Sequence, residues 1–364
     1  MNPNMSAFKP DWREAQERMI AWWTGRPIDR VPAAIHAPVA PESPRTASYI
    51  CNVPEKYTDP GTVFNNLEYG LERRFFGAEA FPSHFVYCGP MFCLAFLGCD
   101  PHFTADTTWY DPAFSSVDEL ANLRLDPDNR WLQLFKRLTQ MSLERSGGRY
   151  LTHNNFNLLA LMDVICGLLG NEPALAALMD RPGAIKAALQ RMAPWIKQLC
   201  DEGYDLFKGR QEGGIDWMDV WAPGRVVSSQ CDMSVMISPD MFAEFVVPDL
   251  TASYSAVDYG IYHMDGPEQI RHLDLLLGID SLHLIQWMPG SKMANPGFGD
   301  PLNWIDLFKR IQAGGKKVLI YCPPEQIRPL LDRISRDQVF LSVSCPDLPC
   351  AQAALRELAR IGTR

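Results

Sequence analysis

A (β/α)8 TIM barrel with an N-terminal helical extension is the fold class this sequence predicts. Three observations predict it. Short β-rich apolar runs alternate with amphipathic stretches along the 364 residues, which implies a parallel sheet with crossover helices. Eight such runs occur, the number that closes this kind of barrel. The runs are apolar nearly throughout, as strands covered on both faces are. A doubly wound open sheet is the rival, but no GxGxxG follows any run, so its nucleotide-binding form has no support. Residues 1–364 therefore read as a single domain.

In chain order, DWREAQERMIAWWTG (11–25) predicts an opening helix, stopped by Gly25 and Pro27. VPAAIHAP (31–38) is the first strand, 62–76 a helix, FPSHFVYCG (81–89) the second strand and GRYLTHNNF (148–156) the third. A helical LLALMDVICGLLG and a long helix over 182–208 follow. IDWMDVW (215–221) is the fourth strand, and Pro239 to about Ser255 its helix, with Ser238 as N-cap and Pro239 at the first helical position. AVDYGIYHMDG, SLHLIQWMPG (281–290), KKVLIYCPP (316–324) and VFLSVSCPD (339–347) complete the eight, each followed by a helical stretch.

The net charge of −9 and pI near 5.3 argue against nucleic acid or an anionic membrane as the main partner. No apolar run reaches about 18 residues, and the N-terminus lacks the layout of a secretory signal. A cytoplasmic location is expected, with the ten cysteines mostly reduced. There is no CxxC pair, which removes zinc-ribbon and thioredoxin readings.

Barrel active sites lie where strands end and βα loops begin. The strand ends here carry His36, His153 with Asn154 and Asn155, Asp219 with Trp221, His263 with Asp265, Gln286 with Trp287, Cys322 and Cys345. His263 and Asp265 are two apart and face one way on an extended strand. With Asp219 they are the candidate catalytic groups. His36, His153, Asn155, Trp221, Gln286 and Trp287 are candidate substrate contacts. His263, Cys322 and Cys345 make a possible zinc set with an open fourth position, which would activate a thiol or water. The alternative is that both cysteines pack in the wall while His263 works as an acid or base. Trp217, Trp221, Trp287 and Trp304 are candidates to line an apolar pocket, and Asp216, Asp219 and Asp232 bracket a loop carrying Arg225.

Four segments resemble the uroporphyrinogen decarboxylase superfamily, which also holds the corrinoid-dependent methyltransferases. They are GRPIDRVP (25–32), SQCDMSVMISPDMFAEFVVPDL (229–250), YHMDG (262–266) and LSVSCPD (341–347). The true decarboxylases carry an Arg-rich RQAGRY-like segment after the first strand to grip carboxylates. This chain has AAIHAPVAP there and no arginine until Arg45. The resemblance is therefore closer to the methyltransferase branch, which places His-x-Cys after strand five and Cys at strand eight as zinc ligands. His263 and Cys345 match that pattern, whereas Asp265 stands where the first cysteine would be. The resemblance implies methyl transfer between a small substrate or thiol and a corrinoid (cobalamin) on a partner protein, with zinc assistance. A metal-independent decarboxylase or lyase using Asp/His acid–base chemistry is the second expectation, and a homodimer is possible for either.

Overall fold

The computed structural model describes residues 5–40, 53–153, 160–290 and 299–362. Its centre is a seven-stranded sheet: β1 (Ala33–Pro38), β2 (Arg74–Ala78), β3 (Val226–Ser229), β4 (Tyr259–Asp265), β5 (Leu282–Met288), β6 (Lys317–Tyr321) and β7 (Val339–Ser344). The spatial order is β2-β1-β7-β6-β5-β4-β3. Neighbours are parallel except β2, which runs antiparallel to β1. The fold is therefore α/β with a mostly parallel sheet. No single helix among the described residues is long and apolar enough to cross a membrane.

From β4 onward the chain follows its expected elements closely, and the departures lie between β1 and β4. The second strand in the ladder is β2, which begins inside the stretch expected to be helical and runs past its end. The helix there stops at Leu71, and the pair Phe75–Phe76 supplies β-favouring aromatics. The expected second and third strands shrink to a parallel pair, Ser83–His84 with Leu151–Thr152, outside the ladder. IDWMDVW does not form the fourth ladder strand. Gly214–Ile215 and Trp221–Ala222 pair as a hairpin, and β3 begins only at Val226. The carboxylate of Asp216 causes this, since its Oδ1 accepts from the backbone N–H groups of Met218 and Val220 and ties the segment into a turn.

Strand alternation divides the buried residues into two sets. Ala34, Ile261, Leu284, Leu319 and Phe340 share one cluster with Trp12, Met19 and Trp22 of the helix Trp12–Trp23. Ile35, Tyr262, Met264, Ile285, Val318 and Val343 belong to the other, with Leu276, Phe308 and Leu358 of the crossover helices. The opening helix thus covers one face of the sheet near the strand starts. Two residues further along each strand, the same face carries His36, His263 and Gln286. The fold places polar groups there because alternation leaves that face uncovered by the crossover helices.

The segment GRPIDRVP is anchored by charge. Glu79, just past β2, is fully buried and receives two bonds from Arg30, at 2.7 Å each, and one from Arg18 at 2.8 Å. The N–H of Ala33 donates to it as well, at 2.8 Å. This carboxylate ties the first helix, its following loop and the start of β1 to the sheet edge.

Candidate functional site

His263 and Gln286 are register partners on β4 and β5. The Nδ1 of His263 is hydrogen-bonded to Oε1 of Gln286. An amide oxygen only accepts, so Nδ1 carries the proton and Nε2 of the neutral ring carries the lone pair. Nε2 lies 3.8 Å from Oδ2 of Asp265. Alternation has put both side chains on one face, as their spacing predicts. β4 ends at Gly266, whose φ of +95° favours glycine and turns the chain into the helix that follows. The Trp217 ring stands edge-on to His263 at 5.0 Å between centroids.

Trp217 opens on a cavity of about 530 Å³. Phe85, Tyr87, Met91, Phe92 and Phe135 supply much of its wall, and Asp232 and Gln230 supply polar atoms. Asp232 also borders a cavity of about 290 Å³ with Asp265 and Glu268, and one of about 610 Å³ with Trp109 and Tyr110. Burial holds the Asp232 carboxyl above its ordinary pKa; His263 opposes this and Asp265 adds to it. The turn carrying Asp232 is fixed from behind. Asp163, fully buried, accepts from the N–H groups of Asp232 and Met233 at 2.8 and 3.0 Å. The Gln269 amide donates to the Cys231 carbonyl at 3.2 Å.

A second cluster gathers at β1. The Nε2 of His36 is 3.2 Å from Oδ2 of Asp219, which sits at a left-handed φ of +60° in the hairpin turn. Such a backbone costs on the order of 1–3 kcal/mol in a non-glycine residue. His153 feels the charge of Asp219, but burial dominates and lowers its pKa to about 3, so its ring is neutral. Neither ring nitrogen of His36 or His153 has a hydrogen-bond partner among the described residues. The Phe85 ring meets His153 edge-on at 4.6 Å, which joins this cluster to the aromatic cavity.

The remaining expected residues lie elsewhere. Trp287 follows Gln286, so it faces the helices and packs on Trp304 at 4.7 Å between centroids. Trp221 packs edge-on against Trp12 at the covered end of the sheet, its indole N–H donating to the Glu212 carbonyl at 3.0 Å. Asn155 lies outside the described residues. Trp217 was a candidate to line an apolar pocket and lines this cavity, whereas Asp232 was read only as bracketing the loop that carries Arg225. Asp232 has no distinguishing sequence signal, since the contacts that place it come from Asp163, some 70 residues away.

The proposed zinc set is not assembled. Cys322 and Cys345 belong to the helix-side cluster, on the far face from His263. The Cys322 thiol donates to the carbonyl of Pro323 at 3.3 Å, and burial pushes its pKa up to about 12. Burial also raises the thiol of Cys345, and Cys350 beside it adds to the shift. No group of three or more His, Cys, Asp or Glu among the described residues is arranged to hold a metal ion. The nine cysteines among the described residues are all free.

No family model matches the chain, and no curated protein matches it. Its structure is similar to that of a methyltransferase from Methanosarcina mazei, with a TM-score of 0.60 at 14% identity, over 95% of this chain and 98% of that one. The likeness is one of fold.

Asp216 has a measurable signature. Its Oδ2 is buried without a partner among the described residues, and burial pushes its pKa up to about 8 against the pull of its two backbone bonds. A carboxyl raised in the folded state favours folding while protonated. That contribution is complete below the ordinary carboxylate pKa and is lost as pH rises through about 8. Asp216→Asn keeps the accepting oxygen and removes the titration. Denaturation at pH 5 and pH 8 should show the variant gaining on the wild type, by up to about 1.4 kcal/mol per pH unit.

Proposed function

We propose that this chain is a methyltransferase-like enzyme on a (β/α)8 barrel, moving a methyl group between a small substrate or thiol and a corrinoid carried by a partner protein. The observation that carries the reading is the placement of a base, the Nε2 of His263, beside an aromatic cavity that can bury a small methylated molecule. The fold shared with a methyltransferase supports it. The parallel pair Ser83–His84 and Leu151–Thr152 would take the second and third barrel positions.

In this reading the aromatic wall holds the methyl-bearing group and excludes water. Gln286 fixes the His263 ring so that Nε2 exchanges a proton with the heteroatom that gains or loses the methyl. Asp265 steadies the positive charge that a protonated ring would carry. Zinc has no part in these steps, because the donor atoms that would bind it point to opposite faces of the sheet.

Purified chain mixed with cob(I)alamin and a panel of methylated amines, thioethers and ethers tests the proposal. Methylcobalamin should form faster than in chain-free controls with at least one donor. Background rates throughout would overturn it.

The His36–Asp219–His153 cluster favours a second reading, a metal-independent decarboxylase or lyase using acid–base chemistry. Carbon dioxide release from carboxylate substrates, with no methyl transfer from any donor, would select it.

A further inference from the structure

The cavity beside His263 combines two properties that rarely meet by accident. Its wall is aromatic, with Phe85, Tyr87, Phe92 and Trp217 among the lining side chains, and its one ionisable carboxyl is Asp232. Among the described residues no Lys, Arg or His lines it. The two adjoining cavities that share Asp232 add Asp163, Asp265 and Glu268, and among the described residues they too lack a lining Lys or Arg. Asp232 and Asp265 have no Lys or Arg ion-pair partner among the described residues. Asp232 takes a bond from the Gln230 amide at 3.0 Å, and Oδ1 of Asp265 is buried without one.

From this we infer that the cavity binds a methylated onium cation, a quaternary ammonium or a sulfonium, as the methyl-bearing substrate. Aromatic faces attract such a cation through their quadrupoles, and Asp232 supplies the opposite charge. A primary ammonium fits less well, because its three N–H donors would face an almost wholly apolar wall and lose their hydrogen bonds to water. A methylated onium has no such donors to satisfy.

The inference rests on the methyl-transfer reading and names its donor. The chemistry balances without a Lewis acid. An electron pair on the acceptor, a thiolate or the partner's reduced corrinoid, forms the new bond to the methyl carbon. The C–N or C–S bond breaks, its pair stays on the heteroatom, and a neutral tertiary amine or thioether departs. A neutral leaving group needs neither metal nor prior protonation, so the proton that His263 moves is the one a thiol acceptor gives up as it becomes the thiolate.

The test is binding, read by titration calorimetry on the full chain. Choline and its neutral isostere 3,3-dimethylbutan-1-ol form the decisive pair. Tetramethylammonium against trimethylsulfonium then tells nitrogen from sulfur as the heteroatom. Choline should bind at least about ten-fold tighter than the alcohol, roughly 1.4 kcal/mol. Asp232→Asn should erase that preference while leaving the alcohol unchanged. The variant should fold, because Asp163 holds the backbone N–H of residue 232 and not its carboxylate. Equal affinity for choline and the alcohol, an unchanged preference in Asp232→Asn, or no binding of any onium at millimolar concentration would overturn the site. Onium binding without methyl transfer to cob(I)alamin would overturn the enzyme reading alone. Transfer from neutral donors without onium binding would overturn the cation site alone.

Discussion

His263→Ala is expected to lower the rate of methyl transfer to a thiol acceptor by about 10²- to 10⁴-fold, the range for losing a positioned proton carrier. The loss should fall on kcat more than on KM, because the ring packs on Trp217 outside the cavity lining and the aromatic wall remains. Free imidazole at tens of millimolar should restore part of the rate, since the variant leaves a ring-sized space between Trp217 and Gln286. The variant will also be somewhat less stable. Gln286 loses its hydrogen-bond partner, which costs about 1–3 kcal/mol at a buried site. Comparing the rate loss with the denaturation midpoint separates the two effects. A rate within a few-fold of wild type would remove His263 from the chemistry.

The second large effect concerns stability. Glu79→Ala should destabilise the fold by about 3–5 kcal/mol, the cost of removing one partner from a buried ion pair. The carboxylate lost is fully buried and answers Arg18, Arg30 and the N–H of Ala33. Both guanidiniums retain some access to solvent, with 16% and 14% of their side chains exposed, which places the expected value toward the lower end. Glu79→Gln keeps an acceptor for Ala33 and should cost less than the alanine variant. Urea denaturation of the two variants measures both costs. An alanine variant as stable as wild type would show that the loop Gly25–Pro32 docks by packing alone.

Much of the site was legible because strands have a period of two. His263 and Asp265 face together as their spacing requires, and Gln286 meets His263 through register. The same period explains the error at Cys322. It is one residue past Tyr321, which packs with the opposite cluster, and a shift of one residue reverses the face. A strand end located only to within a residue or two cannot decide that parity. The departures between β1 and β4 have a different origin. A turn held by the Asp216 side chain displaced the fourth strand, and an antiparallel β2 occupied the edge beside β1. Both depend on contacts that a local apolar pattern does not encode. Asp232 marks the limit most clearly. Its importance comes from bordering three cavities, and distant chain builds each of them.

The pairing of β1 with β7 sets a timetable for synthesis. Ala33 lies opposite Leu341, so the two strands are about 300 residues apart in the chain. At roughly 5–20 residues per second, β1 leaves the ribosome on the order of 15–60 s before its parallel partner exists. Antiparallel β2 arrives early and covers one edge of β1, but the other stays open through that interval. The helix Trp12–Trp23 waits as well, because Phe340 on β7, which packs against Trp22 at 5.8 Å, is made about 320 residues later. The nascent chain therefore carries a tryptophan-rich helix and an unpaired strand edge throughout that interval, a natural point of engagement for a holding chaperone.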